Sequence, residues 1–212
     1  MSNQITPTSP SGSPAVIQQR DINIPGDGHT IVANAGNVNN TMFIMQGAMN
    51  PAVQKLLSGE FSPNYECYNL FVVDSDAFTT GWFLISKETA LTQSTSEEIF
   101  RACRCMDSDA ICRVRSYPAI FASKNRLQGG KTEDDHMAYF GYVAGVELRE
   151  ENIQIECVPM NPIPQNLLIS LSDDLGIEYA SCFCEFDRPH WSIKNINLVN
   201  VLNAAGYRVF TM

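Results

Sequence analysis

Chemistry in a soluble chain usually begins with histidine, cysteine or clustered cations. This 212-residue sequence has only three histidines, His29, His136 and His190. His136 follows Asp134-Asp135, and His190 follows Asp187-Arg188-Pro189. A carboxylate beside an imidazole orients the ring and raises its basicity, which is general-base chemistry. No nucleophile elbow accompanies either histidine. The alternative for His136 is a ring packed at a strand entrance. For His190-Trp191 it is an anchor at the start of a helix, with Trp191 buried. Cys103-x-Cys105 with Cys112, and Cys182-x-Cys184, offer thiols to a tetrahedral zinc. Their spacing is C-x-C, so buried inert thiols are the expectation. No metal and no cofactor is assigned: Gly26-Asp27-Gly28 and Gly129-Gly130 lack the flanking residues of a phosphate loop.

The third constellation is cationic. Arg101, Arg104, Arg113, Arg115, Lys124 and Arg126 form a basic run in a chain of net charge −9. Read on a strand, Arg113 and Arg115 share a face. With Asn125, Arg126 and Lys131 they would make an anion- or nucleic-acid-binding patch, with Tyr139 or Trp191 as a stacking surface. The competing reading is a solvated face that balances Glu147, Glu150, Glu151 and Glu156. The acidic balance argues against nucleic acid and anionic membranes as partners. No run approaches the roughly 20 apolar residues of a membrane helix. Seven cysteines, an odd number, without a secretory leader point to free thiols in the cytoplasm.

The elements that must position these groups are organised around a hairpin. Its arms are Tyr139–Leu148 and Ile153–Val158, joined by Arg149-Glu150-Glu151-Asn152. Phe140, Tyr142, Ala144, Val146 and Leu148 fall on one face by alternation, as in a sheet with one face buried. Further strands are expected at Tyr65–Val73, Gly81–Ile85 and Ala110–Ala122. Pro118 would put the last at an edge or a bulge. A helix opens at Thr95/Ser96 with Glu97 and Glu98 in its first turn. Another spans Gln165–Leu175 and stops at Gly176. His190–Lys194 leads into a last helix, Asn195–Ala205, closed by Gly206. Tyr207–Thr211 reads as a final short strand, and Ile177–Asp187 stays unassigned. The class is α+β: a mixed, mainly antiparallel sheet with C-terminal helices, with a small PUA- or SH3-like barrel as one form of it.

Ahead of this domain, residues 1–19 carry no charged side chain and read as a disordered leader. Residues 20–49 differ again. Ile22, Ile24, Ile31, Val32, Val38, Phe43 and Ile44 are spaced by glycine and by Asn34, Asn37 and Asn39. From Thr30 to Asn50 there is no charge. β-prone residues, low charge and stackable asparagines are the composition of cross-β stacking. The alternative is a strand–turn–strand belonging to the domain. Asn50-Pro51 then starts a short helix ending at Gly59, and residues 50–212 form the globular domain.

On those residues the 20–49 segment resembles the amyloid signalling motifs of bacterial and fungal immune adaptors and of animal necroptosis adaptors. Met45-Gln46-Gly47 is its nearest match to the animal core tetrapeptide, which it lacks. The resemblance implies self-association, or pairing with a protein that carries a matching motif, in immune or conflict signalling. From Pro118 to Gly206 the chain resembles an uncharacterised bacterial domain through Lys131–His136, the hairpin, Asn161–Gln165 and His190–Lys194. That resemblance implies no residue roles. Three functions follow: a non-enzymatic interaction module, a nucleic-acid or modified-base reader, or a hydrolase or transferase using His136 or His190. The residues lean away from an enzyme.

Overall fold

The computed structural model describes residues 61–212 except 93, 128, 129, 181 and 182, together with Gln54 and Leu56. The leader, the 20–49 segment with Ile22, Ile24, Ile31, Val32, Asn34, Asn37, Val38, Asn39, Phe43 and Ile44, and most of the expected 50–59 helix lie outside the described residues. Gln54 and Leu56 are helical.

Six strands form one mixed sheet in the order β2-β5-β4-β3-β1-β8, curled as a half-barrel. They are β1 (Tyr68–Val73), β2 (Trp82–Ser86), β3 (Pro118–Ser123), β4 (Met137–Leu148), β5 (Asn152–Pro164) and β8 (His190–Lys194). Only β1 and β3 pair in parallel; the other neighbours are antiparallel. A two-residue hairpin, β6 (Tyr179–Ala180) with β7 (Phe183–Cys184), stands apart. The α+β class stands as read from the sequence, and so does the hairpin, except that its second arm continues past Val158 to Pro164.

The centre of the sheet is buried on both faces, not on one. Every residue of β1 and β3 is buried. Tyr68, Leu70, Val72, Ile120 and Ala122 point into one core. It is closed by α3 (Gln165–Ser170), α4 (Ser172–Leu175) and α5 (Leu198–Ala204) through Leu168, Leu175, Leu198 and Leu202. Phe71, Val73, Ala119 and Phe121 point into a second, aromatic core with Phe78, Phe83 and Trp191. Phe71 stacks on Trp191 at 5.2 Å and on Phe121 at 5.6 Å between ring centroids. Cys103 of α1 (Glu97–Cys103) and Val114 of α2 (Ser108–Ser116) close that side. The strict alternation expected of the first hairpin arm fails at one place. The ladder shifts register between Val143 and Gly145. A β-bulge adds one residue and turns the next side chains over. Val146 therefore joins the aromatic core and parts from Phe140, Tyr142 and Ala144.

Four further expectations are overturned. Residues 108–116 are helical, not part of a strand. Asp107 caps the helix, its Oδ1 accepting from Ala110 N at 2.9 Å. Ala110 and Val114, four apart, are its buried positions, and Arg113 and Arg115 sit favourably in its last turn. Pro118 is the first residue of an inner strand, a place where the missing N–H is tolerated. His190–Lys194 is a strand paired to β1, and the helix starts only after Asn197, whose Oδ1 caps Asn200 N at 2.9 Å. Tyr207–Thr211 joins no ladder among the described residues. It is pinned by Tyr207 OH donating to Pro162 O and Phe210 N donating to Asn161 Oδ1.

Gly141 is the tightest point of the hairpin. A Cβ there would overlap the backbone oxygen of Val158 and touch Pro159 Cα at 3.0 Å. Backbone cannot yield as a side chain tip can. Gly141→Ala should therefore destabilise the domain by at least about 2 kcal/mol, read as a lower urea midpoint at unchanged slope.

Candidate functional site: the polar end of the sheet

Because β1 and β3 run in parallel, their carboxyl ends emerge on the same side. The antiparallel neighbours bring β8 and β4 in at that side, with His190 opposite Val72 and Tyr139 opposite Phe121. β5 leaves there, with Pro164 opposite Met137. The carboxyl ends of parallel strands are where open sheets gather ligands. Here that end collects Asn125, Arg126, His136, Gln165, Asp187 and His190. The topology thus brings both histidines of the described residues to one end of the sheet, with β3 and β1 lying between the strands they open.

Two hydrogen-bonded clusters occupy this end. The first centres on Glu185, 2% exposed. Its Oε1 accepts from His190 Nε2 and from Ser192 Oγ, both at 2.9 Å. Its Oε2 accepts from Lys194 Nζ at 2.7 Å and from Glu178 N at 3.0 Å. His190 Nδ1 meets Arg188 O at 3.0 Å. Both ring nitrogens thus face oxygen atoms, which fixes the orientation of the ring. Residues 190, 192 and 194 alternate along β8 and share one face, while Trp191 and Ile193 enter the aromatic core. Burial alone would raise the Glu185 carboxyl. The His190 hydrogen bond and the Lys194 ammonium outweigh it and hold the group down at about 2. Burial, and then the same carboxylate, push the Tyr68 phenol up.

The second cluster runs through the amides. Gln165 Nε2 donates to Asn125 Oδ1 at 2.9 Å and to Ser123 O at 3.0 Å. Asn125 Nδ2 donates to Asp187 Oδ1 at 2.8 Å, and Cys184 N donates to Asp187 Oδ2 at 2.8 Å. Ser123 Oγ bonds Asp76, and Thr132 Oγ1 bonds His136 Nδ1. His136 is 3% exposed. Burial, then the nearby Arg126, hold its pKa below the usual histidine value, against Asp76, Glu133 and Asp135. His136 Nε2 and Gln165 Oε1 have no partner among the described residues. Arg126 is half-exposed, 3.8 Å from both Asp76 and Glu133.

The expected basic patch is not one surface. Arg113 and Arg115 lie on α2, where two residues are roughly 200° apart, so they share no face. They precede the start of β3, whereas Asn125 and Arg126 follow its end, about 20 Å along the strand. Lys131 is exposed in the loop before β4. Trp191 cannot stack on a base: it is fully buried, and its Nε1 donates to Asn69 Oδ1 at 3.1 Å. Cys67, Cys103, Cys157 and Cys184 are buried thiols raised by burial, Cys157 to about 12. No group of three potential ligands for a metal exists among the described residues. No described helix is long and apolar enough to cross a membrane.

Sequence reasoning missed Glu185, because its segment carries no regular period. The signal was the alternation His190-Trp191-Ser192-Ile193-Lys194, which puts three polar groups on one strand face and demands a buried counter-charge. No protein family, curated protein or solved structure matches the chain.

The Glu185 carboxyl sits below its ordinary value of 4.5, so the unfolded chain binds the extra proton. Its stabilisation is whole above pH 4.5 and is lost as the pH falls toward about 2. Glu185→Gln leaves Lys194 buried without its charge partner and should cost about 3–5 kcal/mol at neutral pH. Denaturant melts between those pH values should be flatter for Glu185→Gln than for the parent.

Proposed function

We propose that the chain is a non-enzymatic interaction protein. Residues 20–49 drive homotypic assembly, or pairing with a matching segment on another protein, and the folded α+β domain is the recognition or regulatory part. That division of labour suits bacterial immune or conflict signalling. The observation that carries the reading is the uncharged run from Thr30 to Asn50, in which Ile31, Val32, Val38, Phe43 and Ile44 alternate with glycine and asparagine. Stacked in register, main-chain bonds supply affinity and asparagine ladders supply register.

The folded domain supports the same reading through where its reactive groups are spent. His190 is held on both ring nitrogens, inside a globule that leaves it 3% exposed. A half-exposed tryptophan and leucine, Trp82 and Leu84, stand on an edge strand. A hydrolase or transferase reading has one observation in its favour, the arrival of His136 and His190 at the same end of the sheet. A nucleic-acid reader is weakened by the separation of Arg113 and Arg115 from Asn125 and Arg126.

The test is assembly of the full chain. Aligned material should give a cross-β reflection at about 4.7–4.8 Å. Proline at Ile31 and Val38 should abolish it, because proline cannot donate to a ladder. A chain that stays monomeric in sedimentation at high concentration would end the proposal.

A further inference from the structure

β5 runs for 13 residues, but only its first part is paired on both sides. β2 pairs with Asn152–Glu156 and reaches no further. From Val158 to Pro164, β5 has β4 on one side and no strand on the other among the described residues. The sequence explains why no ladder closes that side. Alternate residues of a strand turn their main-chain groups the same way, so Pro162 and Pro164 share a side. Pro162 O accepts from Tyr207 OH, so the shared side is the outer one. A proline nitrogen has no hydrogen to give a further strand.

Residues 207–212 cover this half-edge. Gly206, with φ of 77°, turns the chain out of α5, and Tyr207 N donates to Leu202 O at 2.8 Å. From Arg208 to Met212 no main-chain group bonds another main-chain group among the described residues. Side chains clamp the segment instead. Tyr207 OH donates to Pro162 O, and Phe210 N donates to Asn161 Oδ1 at 2.8 Å. Met212 N donates to the Tyr142 hydroxyl at 3.4 Å, and Met212 O accepts from Tyr65 OH at 3.0 Å. Tyr207, Val209 and Met212 are half-buried against the helical core, while Arg208 and Phe210 are exposed.

We propose that Tyr207–Met212 is a detachable strap. It leaves β5 as one unit while the sheet beneath stays folded, and it uncovers a groove that presents Tyr142, Asn161 and Pro162 O. The hydrogen-bond accounting favours this. A ladder would tie the segment down through main-chain pairs, and the prolines forbid one. Each group that the strap bonds lies directly beneath it, so water takes the strap's place when it lifts. Opening therefore orphans no buried polar group. It loses the packing of three half-buried side chains, and neither core counts a strap residue among its buried members. Segments with few buried contacts open at a small fraction of the global unfolding free energy. The proposal does not depend on how residues 20–49 behave.

Amide hydrogen exchange on the full-length protein tests it, with a free peptide of residues 206–212 as the reference. The Phe210 and Met212 amides should exchange more slowly than in the peptide. They should still exchange at least about a hundred-fold faster than the ladder amides of β1 and β3. Low urea should accelerate the ladder amides and leave the strap amides unchanged, because lifting the strap exposes little surface. Asn161→Ala removes the clamp on Phe210 and should raise the Met212 rate by about five-fold, although the partners of Met212 are untouched. Tyr207→Phe keeps the ring, loses the bond to Pro162 O and should also raise the Met212 rate. Strap amides as slow as the ladder amides would overturn the proposal, since the segment would then open only with the whole domain. So would strap amides as fast as the free peptide. A Met212 rate that neither variant moves would also overturn it, because the clamps would then fray one by one.

Discussion

One carboxylate out of reach of water governs the layout of this domain. Glu185 stays ionised only because His190, Ser192, Lys194 and the Glu178 amide surround it with four donors. Three of those donors sit on alternate residues of β8. That periodicity fixes which face of the strand turns to the C-terminal helices and which enters the aromatic core. Burying a charge costs several kcal/mol unless its partners are complete, so β8 tolerates little slippage against β1. The order of the sheet's far side thus follows from an electrostatic requirement as much as from hydrophobic packing.

The two cores show how the rest is held. The helical core is aliphatic, with Leu168, Leu175, Leu198 and Leu202 lying on Tyr68, Leu70 and Ile120. The other is aromatic, with Phe71 between Trp191 and Phe121. Asn69 lies between Leu70 and Tyr68 in sequence yet is fully buried, because its side chain accepts from Trp191 Nε1 and donates to Val114 O at 2.9 Å. That single amide ties β1 to β8 and to α2. The parallel pair β1–β3 is then screened on both sides, as parallel strands usually are.

Much of this was legible in the sequence. The hairpin announced itself by alternation, and β1 and β2 by apolar runs on either side of the Asp74-Ser75-Asp76 turn. Helix ends at Gly176 and Gly206 were marked by glycines that adopt φ of 63° and 77°. What failed did so for physical reasons. Arg113-x-Arg115 beside Val114 mimics a strand's period of two, while the Asp107 cap that decides for helix lies upstream of the run. His190–Lys194 looked like a helix start because its polar face is explained only by Glu185, a residue contributed by a segment without period. The basic run seemed one patch because nearness in sequence stood in for nearness in space, and β3 intervenes. At the polar end, His136 and His190 could be named but not their partners Thr132, Glu185 and Arg188.

The extra residue at Ala144 has a consequence for how such a domain can vary. Beyond it the hairpin presents Val146 inward and Glu147 outward. Loss of a single codon there would restore unbroken pleating and rotate the distal arm by half a turn, carrying a glutamate toward the phenyl rings and a valine into water. Length at this spot is therefore far less negotiable than side-chain identity. The surface beside Trp82 exists in its present form only while that count is kept.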